Sequence, residues 1–122
     1  MTYMTERLVN KYYDILKDGM ASFDEEGLRS ILAPDLDFEG PIAGHVSGAE
    51  RFIKGVSGFA ATMRGLCMLQ QVWVGDEAAA LYDAQMPDGV VRFAEFFQVA
   101  QGRIQSLRLL YDAGDYRASG GR

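Results

Sequence analysis

The chain has 122 residues, with 12 Lys or Arg against 17 Asp or Glu for a formal charge of −5, and 48% of its residues are hydrophobic. Such a composition fits one globular domain with a core and a modest pocket, and it excludes a disordered chain or a general nucleic-acid binder. One Cys and one His also exclude an internal disulfide, a thiolate-rich cluster and a multi-histidine metal site.

Residues from Met1 to Arg7 lack the basic and apolar segments of a signal peptide. No apolar run approaches the roughly 20 residues that span a bilayer. The expectation is a cytoplasmic protein with no membrane partner and a reduced Cys67. Helical spacing of Leu8, Val9, Tyr12, Tyr13, Ile15 and Leu16 predicts a first helix from about Thr5 to Leu16, with Thr5 as its N-cap. Ser22 to Glu25 reads as a capping box opening a second helix with Leu28, Ile31 and Leu32, which Pro34 stops. A short strand is expected over Asp35 to Glu39, then a loop from Gly40 to Gly48. Ser47 to Glu50 is a second capping-box pattern, ahead of a third helix carrying Phe52, Ile53, Val56, Phe59 and Ala60.

After Gly65 the apolar period changes to two. Four strands are expected at about 66–74, 77–86, 90–100 and 103–112, joined at Gly75-Asp76, Asp88-Gly89 and Gln101-Gly102. The order predicts an α+β domain, with three N-terminal helices on one face of a curved, mainly antiparallel sheet. Its core runs over about residues 5–113, and the small, polar tail from Ala118 is expected to fray. Two-residue loops would place Leu69, Tyr82, Glu95 and Arg108 in one row across the sheet, flanked by Gln71, Ala80, Phe97 and Ser106. The other face would carry Met68, Val72, Leu81, Phe96, Leu107, Leu109 and Tyr111, mixed with Arg92, Asp83 and Gln105. An apolar surface of that extent predicts a homodimer packed through the sheet.

Glu95 is the leading candidate for chemistry, because Phe93 and Phe97 flank it along the strand and would desolvate its carboxyl. Tyr82 and Arg108 are expected beside it, where an acid, a phenol and a guanidinium can polarise a ligand oxygen. The small Ala78, Ala80 and Ala84 leave room for a cavity, with Phe59, Trp73, Phe93, Phe97 and Tyr13 as its wall. His45 is the one side chain that titrates near neutrality unperturbed, and Asp112 closes the last strand; both join Glu95 as candidate catalytic groups. Neither a phosphate-binding loop nor a metal-ligand cluster is present in the sequence.

The segments FDEEGLRSILAPDLDFEGP, GAERFIKGVSGF and GRIQSLRLLYDA, with the long first helix, resemble the nuclear transport factor 2-like superfamily. The nearest branch is that of the SnoaL-like polyketide cyclases and ketosteroid isomerase-like proteins. The resemblance implies a cone-shaped fold that hosts isomerases, cyclases, hydrolases and non-catalytic binders. For ketosteroid isomerase it implies a carboxylate base at the position held here by Gly40, and an oxyanion-hole tyrosine where this chain has Leu16. Only the second oxyanion donor, a carboxylic acid in the third meander strand, is matched, by Glu95. True steroid isomerisation is therefore not expected. In the related epoxide hydrolases a carboxylate–arginine–carboxylate set does the work; Glu95, Arg108 and Asp112 supply similar groups without the Arg-x-Asp spacing. Two readings remain: a cofactor-free acid–base enzyme for a small, largely apolar oxygenated molecule, or a binding or dimeric assembly module with the same cavity.

Overall fold

The computed structural model describes residues 2–122, and it forms α1 over Thr2–Leu16 with Leu8, Val9, Tyr12, Tyr13, Ile15 and Leu16 all buried. The helix begins three residues before the expected cap. Thr5 is buried inside it, where its hydroxyl donates to the Gly75 carbonyl (2.7 Å) and ties α1 to a strand turn. A single 3-10 turn, Gly19–Ala21, leads to α2, Glu25–Ile31. Its N-cap is Asp24, not Ser22: the Asp24 carboxylate accepts from the Gly27 N–H (3.0 Å), while the Ser22 hydroxyl donates back to the Ile15 carbonyl. Leu32, the C-cap, is already extended, and Pro34 keeps the next residue, Ala33, out of helical geometry, so the helix cannot resume.

One six-stranded sheet follows, in the order β2-β1-β6-β5-β4-β3. Its strands are β1 Leu32–Gly40, β2 Gly44–Ser47, β3 Gly65–Val74, β4 Glu77–Met86, β5 Gly89–Ala100 and β6 Arg103–Leu110. Among the described residues, only β1 and β6 run parallel. The expected loop from Gly40 to Gly48 contains β2, since Gly44 (φ 71°) reverses the chain and lets Glu39 pair with His45. The third helix, α3, spans Ala49–Thr62 and starts at Gly48 without a side-chain cap. Glu50 is engaged elsewhere, gripping Arg29 of α2 (2.7 Å), so the second capping box does not form.

The sheet register departs from the expected rows at three places. Between β4 and β5 the loop is Pro87-Asp88, which pairs Tyr82 with Phe93 and Ala80 with Glu95. That shift is two residues, so every side chain keeps its face. Between β5 and β6 a bulge adds one residue, Gln105, between the Val99–Ile104 and Gln98–Ser106 pairs. A shift of one reverses the faces: Leu107 and Leu109 turn inward, and Arg108 turns outward opposite Phe96. A second bulge, at Leu69, aligns Met68 rather than Leu69 with Tyr82.

Helices α1 and α3 cover the inner face, where Ala78, Ala80, Tyr82, Ala84, Phe93, Phe97 and Leu107 are buried. A fourth helix, α4, spans Ala113–Ala118, which sequence periodicity left unassigned. Its buried Tyr116 packs on Phe93, Tyr111 and Phe59. Residues 119–122 are docked rather than frayed. The Asp88 N–H donates to the Ser119 carbonyl (2.9 Å), and the Tyr116 hydroxyl donates to the Arg122 carbonyl (3.1 Å). Gly121 lies so close to Tyr116 that a Cβ there would stand 2.3 Å from the ring, which only glycine permits.

Candidate functional site

A cavity of about 240 Å³ opens between α3, α4 and the inner sheet face. Its wall is apolar: Leu16, Phe38, Phe52, Val56, Phe59, Phe93, Leu109 and Tyr111. Glu95 lines it from the middle of β5 and is only 1% exposed. A buried carboxyl of that kind is costly unless its oxygens are bonded. Three phenols meet that need. The Tyr13 hydroxyl donates to one carboxylate oxygen (2.5 Å), Tyr12 donates to the other (3.3 Å), and Tyr82 directs its hydroxyl at the same group.

The local sequence explains this convergence. Tyr12 and Tyr13 are adjacent on α1, and the helix lies so flat on the sheet that both are buried. Their rings meet edge to face at 5.2 Å and pack at 5.5 and 5.9 Å from Phe97, which fixes their direction. Tyr82 stacks on Phe93 with planes within 9°, holding its hydroxyl in the same layer. Burial drives the Glu95 carboxyl up to about 7, and the phenol hydrogen bonds to its ionised form oppose that rise. Burial first, then the charge of Glu95, pushes all three phenols well above their ordinary range, so they stay protonated as donors. The carboxyl can thus give or take a proton near neutrality.

Tyr12, Tyr82 and Glu95 line the cavity, whereas Tyr13 does not. Tyr13 therefore holds the Glu95 carboxyl from behind the cavity, and Tyr12 and Tyr82 are the phenols that face it. Phe59 and Phe93 line the cavity. Phe97 is buried behind the tyrosines, and Trp73 is half-buried on the inner face near the sheet edge; neither lines this cavity.

Three expected site residues lie elsewhere. Arg108 is 66% exposed on the outer face beside Glu39 (3.5 Å), so it neither pairs with Glu95 nor lowers its pKa. The β5–β6 bulge is the cause. His45 is 65% exposed on edge strand β2, with its ring nitrogen in hydrogen-bond contact with the Asp37 carboxylate. Asp112 caps α4 by accepting from the Asp115 N–H (2.8 Å). Tyr12 as a partner of Glu95, and Tyr116, Arg51 and Arg122 as cavity residues, escaped sequence reasoning. The Asp112-x-x-Asp115 spacing was a readable cap signal for α4.

At Gly40, the position where the isomerase resemblance places a base, a Cβ would stand 3.0 Å from the Phe38 ring. Among the described residues no group of three or more His, Cys, Asp or Glu is placed to hold a metal ion. No helix among them is long and apolar enough to cross a membrane.

The geometry has close counterparts among solved structures. A nuclear transport factor 2-like protein of unknown function from Cytophaga hutchinsonii superposes with a TM-score of 0.77 at 19% identity, over 93% of this chain and 94% of that one. A steroid delta-isomerase from Pseudomonas aeruginosa gives 0.79 at 16% identity, over 96% and 86%. A de novo designed protein with a curved β-sheet gives 0.82 at 17% identity, over 98% and 93%, so likeness at this level establishes the fold and not an activity. No curated protein matches the chain. The sequence profile of the SnoaL-like domain matches residues 9–107, which includes α3, the full meander of β3 to β5 and all four members of the buried acid–phenol group. This chain therefore belongs to the SnoaL-like domain family and has the nuclear transport factor 2-like fold.

Proposed function

We propose that the protein binds a small, largely apolar oxygenated molecule in the inner cavity and acts on it by acid–base chemistry at Glu95. The observation that carries this reading is a buried carboxyl, raised to about 7, lining an apolar cavity with two phenols beside it. A carbonyl or hydroxyl oxygen entering the cavity would accept from Glu95 in its protonated form, or from Tyr12 or Tyr82. Isomerase, cyclase and hydrolase chemistry all use such a group to stabilise or protonate an oxygen. At about 240 Å³ the cavity is below the roughly 300–1,000 Å³ of drug-sized ligand sites. A steroid nucleus is a poor fit.

A second reading, a non-catalytic binding module, is favoured by Gly40 and Phe38: the position of the isomerase base has no carboxylate, and the Phe38 ring crowds it. Under both readings the protein is a homodimer through the outer sheet face, where Val72, Phe96 and Leu110 are exposed. A cytoplasmic location belongs to the same proposal, supported by the exposed free thiol of Cys67.

The test is the pH dependence of binding of 2-cyclohexenone, followed by calorimetry on wild type and Glu95→Gln. If the ketone accepts from protonated Glu95, wild-type affinity falls as pH rises through about 7. The limiting slope is about tenfold per unit, and the Gln variant is flat. A flat wild-type profile would reject the role given to Glu95. Turnover then separates the readings: for a true substrate, Glu95→Gln costs an enzyme about 10²–10⁴-fold, and a binder has no turnover to lose.

A further inference from the structure

The cavity has a second polar feature at its open end. Arg51, from the first turn of α3, and Arg122, from the docked tail, both line it and are exposed to solvent. Three other arginines of this acidic chain are held by carboxylates, Arg29 by Glu25 and Glu50, Arg92 by Asp83 and Arg108 by Glu39, and Arg103 donates to backbone carbonyls of Arg29 and Leu32. Arg51 and Arg122 have no carboxylate or side-chain hydrogen-bond partner among the described residues. Glu95 is the one acidic residue of the cavity lining and lies buried at its inner end. The lining thus runs from two free guanidinium groups, through an apolar wall, to the acid–phenol group.

We infer that the ligand is a small oxo or hydroxy carboxylic acid, its carboxylate held at the mouth by Arg51 and Arg122 and its neutral oxygen directed to Glu95. This deepens the binding reading above and rests on it. A guanidinium offers a planar pair of N–H donors that matches a carboxylate, and the bond strengthens as the mouth is covered by the ligand itself. Two cations on separate elements also offset the overall negative charge, which would otherwise repel an anion. The two ends demand opposite chemistry: an anion beside Glu95 would meet a like charge, whereas an anion at the mouth meets two opposite ones. Orientation follows from that asymmetry.

The experiment compares three probes at pH 6 and low salt: 4-oxocyclohexanecarboxylate, its uncharged primary amide, and cyclohexanecarboxylate. Binding is measured by calorimetry on wild type and on the double variant Arg51→Gln, Arg122→Gln, whose substitutions are at exposed positions and keep the fold. The keto acid is expected to bind wild type about tenfold more tightly than the amide. That preference should vanish in the double variant and weaken with added salt. Equal binding of keto acid and amide to wild type overturns the anion site but leaves the Glu95 reading standing. Equal binding of the keto acid and cyclohexanecarboxylate shows that no oxygen is recognised at the inner end, which removes the Glu95 reading and the proposal with it. Failure of all three probes to bind overturns both.

Discussion

Glu95 sets the terms at the scale of single residues. Its carboxyl titrates near 4.5 in an unfolded chain and at about 7 in the folded protein. Between those values the native state holds a proton that the unfolded chain has released, so this group's stabilising contribution is complete below 4.5 and is lost as pH rises to about 7. The magnitude is about 3 kcal/mol, since one pKa unit is worth about 1.4 kcal/mol. Glu95→Gln keeps the shape and an acceptor for the phenols but cannot ionise. Chemical denaturation should show wild type losing most of that amount, about 2.5 kcal/mol, relative to the Gln variant between pH 5 and pH 8. Parallel curves would mean that the carboxyl is not desolvated. Arg108→Met, in contrast, should change stability by under about 1 kcal/mol, as for other exposed ion pairs.

At the scale of elements, α1 is anchored by a bond that its sequence disguises. Thr5 looks like an N-cap, yet its hydroxyl crosses to the Gly75 carbonyl in the β3–β4 turn. Thr5→Val keeps the volume and loses the donor, at a cost of about 0.5–1.5 kcal/mol for one hydrogen bond. Urea unfolding checks this, and an unchanged midpoint would show that the bond contributes nothing. The strands of the meander were legible in the sequence because alternation and glycine turns are local signals. The same is true of Glu95 as an inward residue, since Phe93 and Phe97 share its parity. The bulges were not legible: one extra residue, Gln105, has no compositional mark, yet it moves Arg108 to the opposite face. Likewise the carboxyl's real partners come from α1, and no pattern within the sheet can point to a helix 82 residues away in sequence.

At the scale of the whole molecule, the strongly curved sheet has two unlike faces. The inner one is closed by α1, α3 and α4. The outer one carries Val72, Val74, Phe96 and Leu110 around an open depression of about 800 Å³. The proposed homodimer would cover it. Sedimentation equilibrium at micromolar concentration should then give twice the 13.5 kDa chain mass, and Phe96→Glu should return the monomer by placing a charge at the centre of the contact. A wild-type monomer would leave the outer face without that role.

The central claim is that the buried Glu95 carboxyl, held by phenols and by no arginine, is poised near neutrality inside the cavity. The most direct test is a pH titration of its side-chain carboxyl ¹³C resonance, assigned by comparison with Glu95→Gln. The account predicts a midpoint near 7 in wild type. It also predicts a higher midpoint in Tyr13→Phe, which loses the shortest hydrogen bond to the ionised form, and an unchanged one in Arg108→Met. A wild-type midpoint near 4.5, or one that rises when Arg108 is removed, would contradict it.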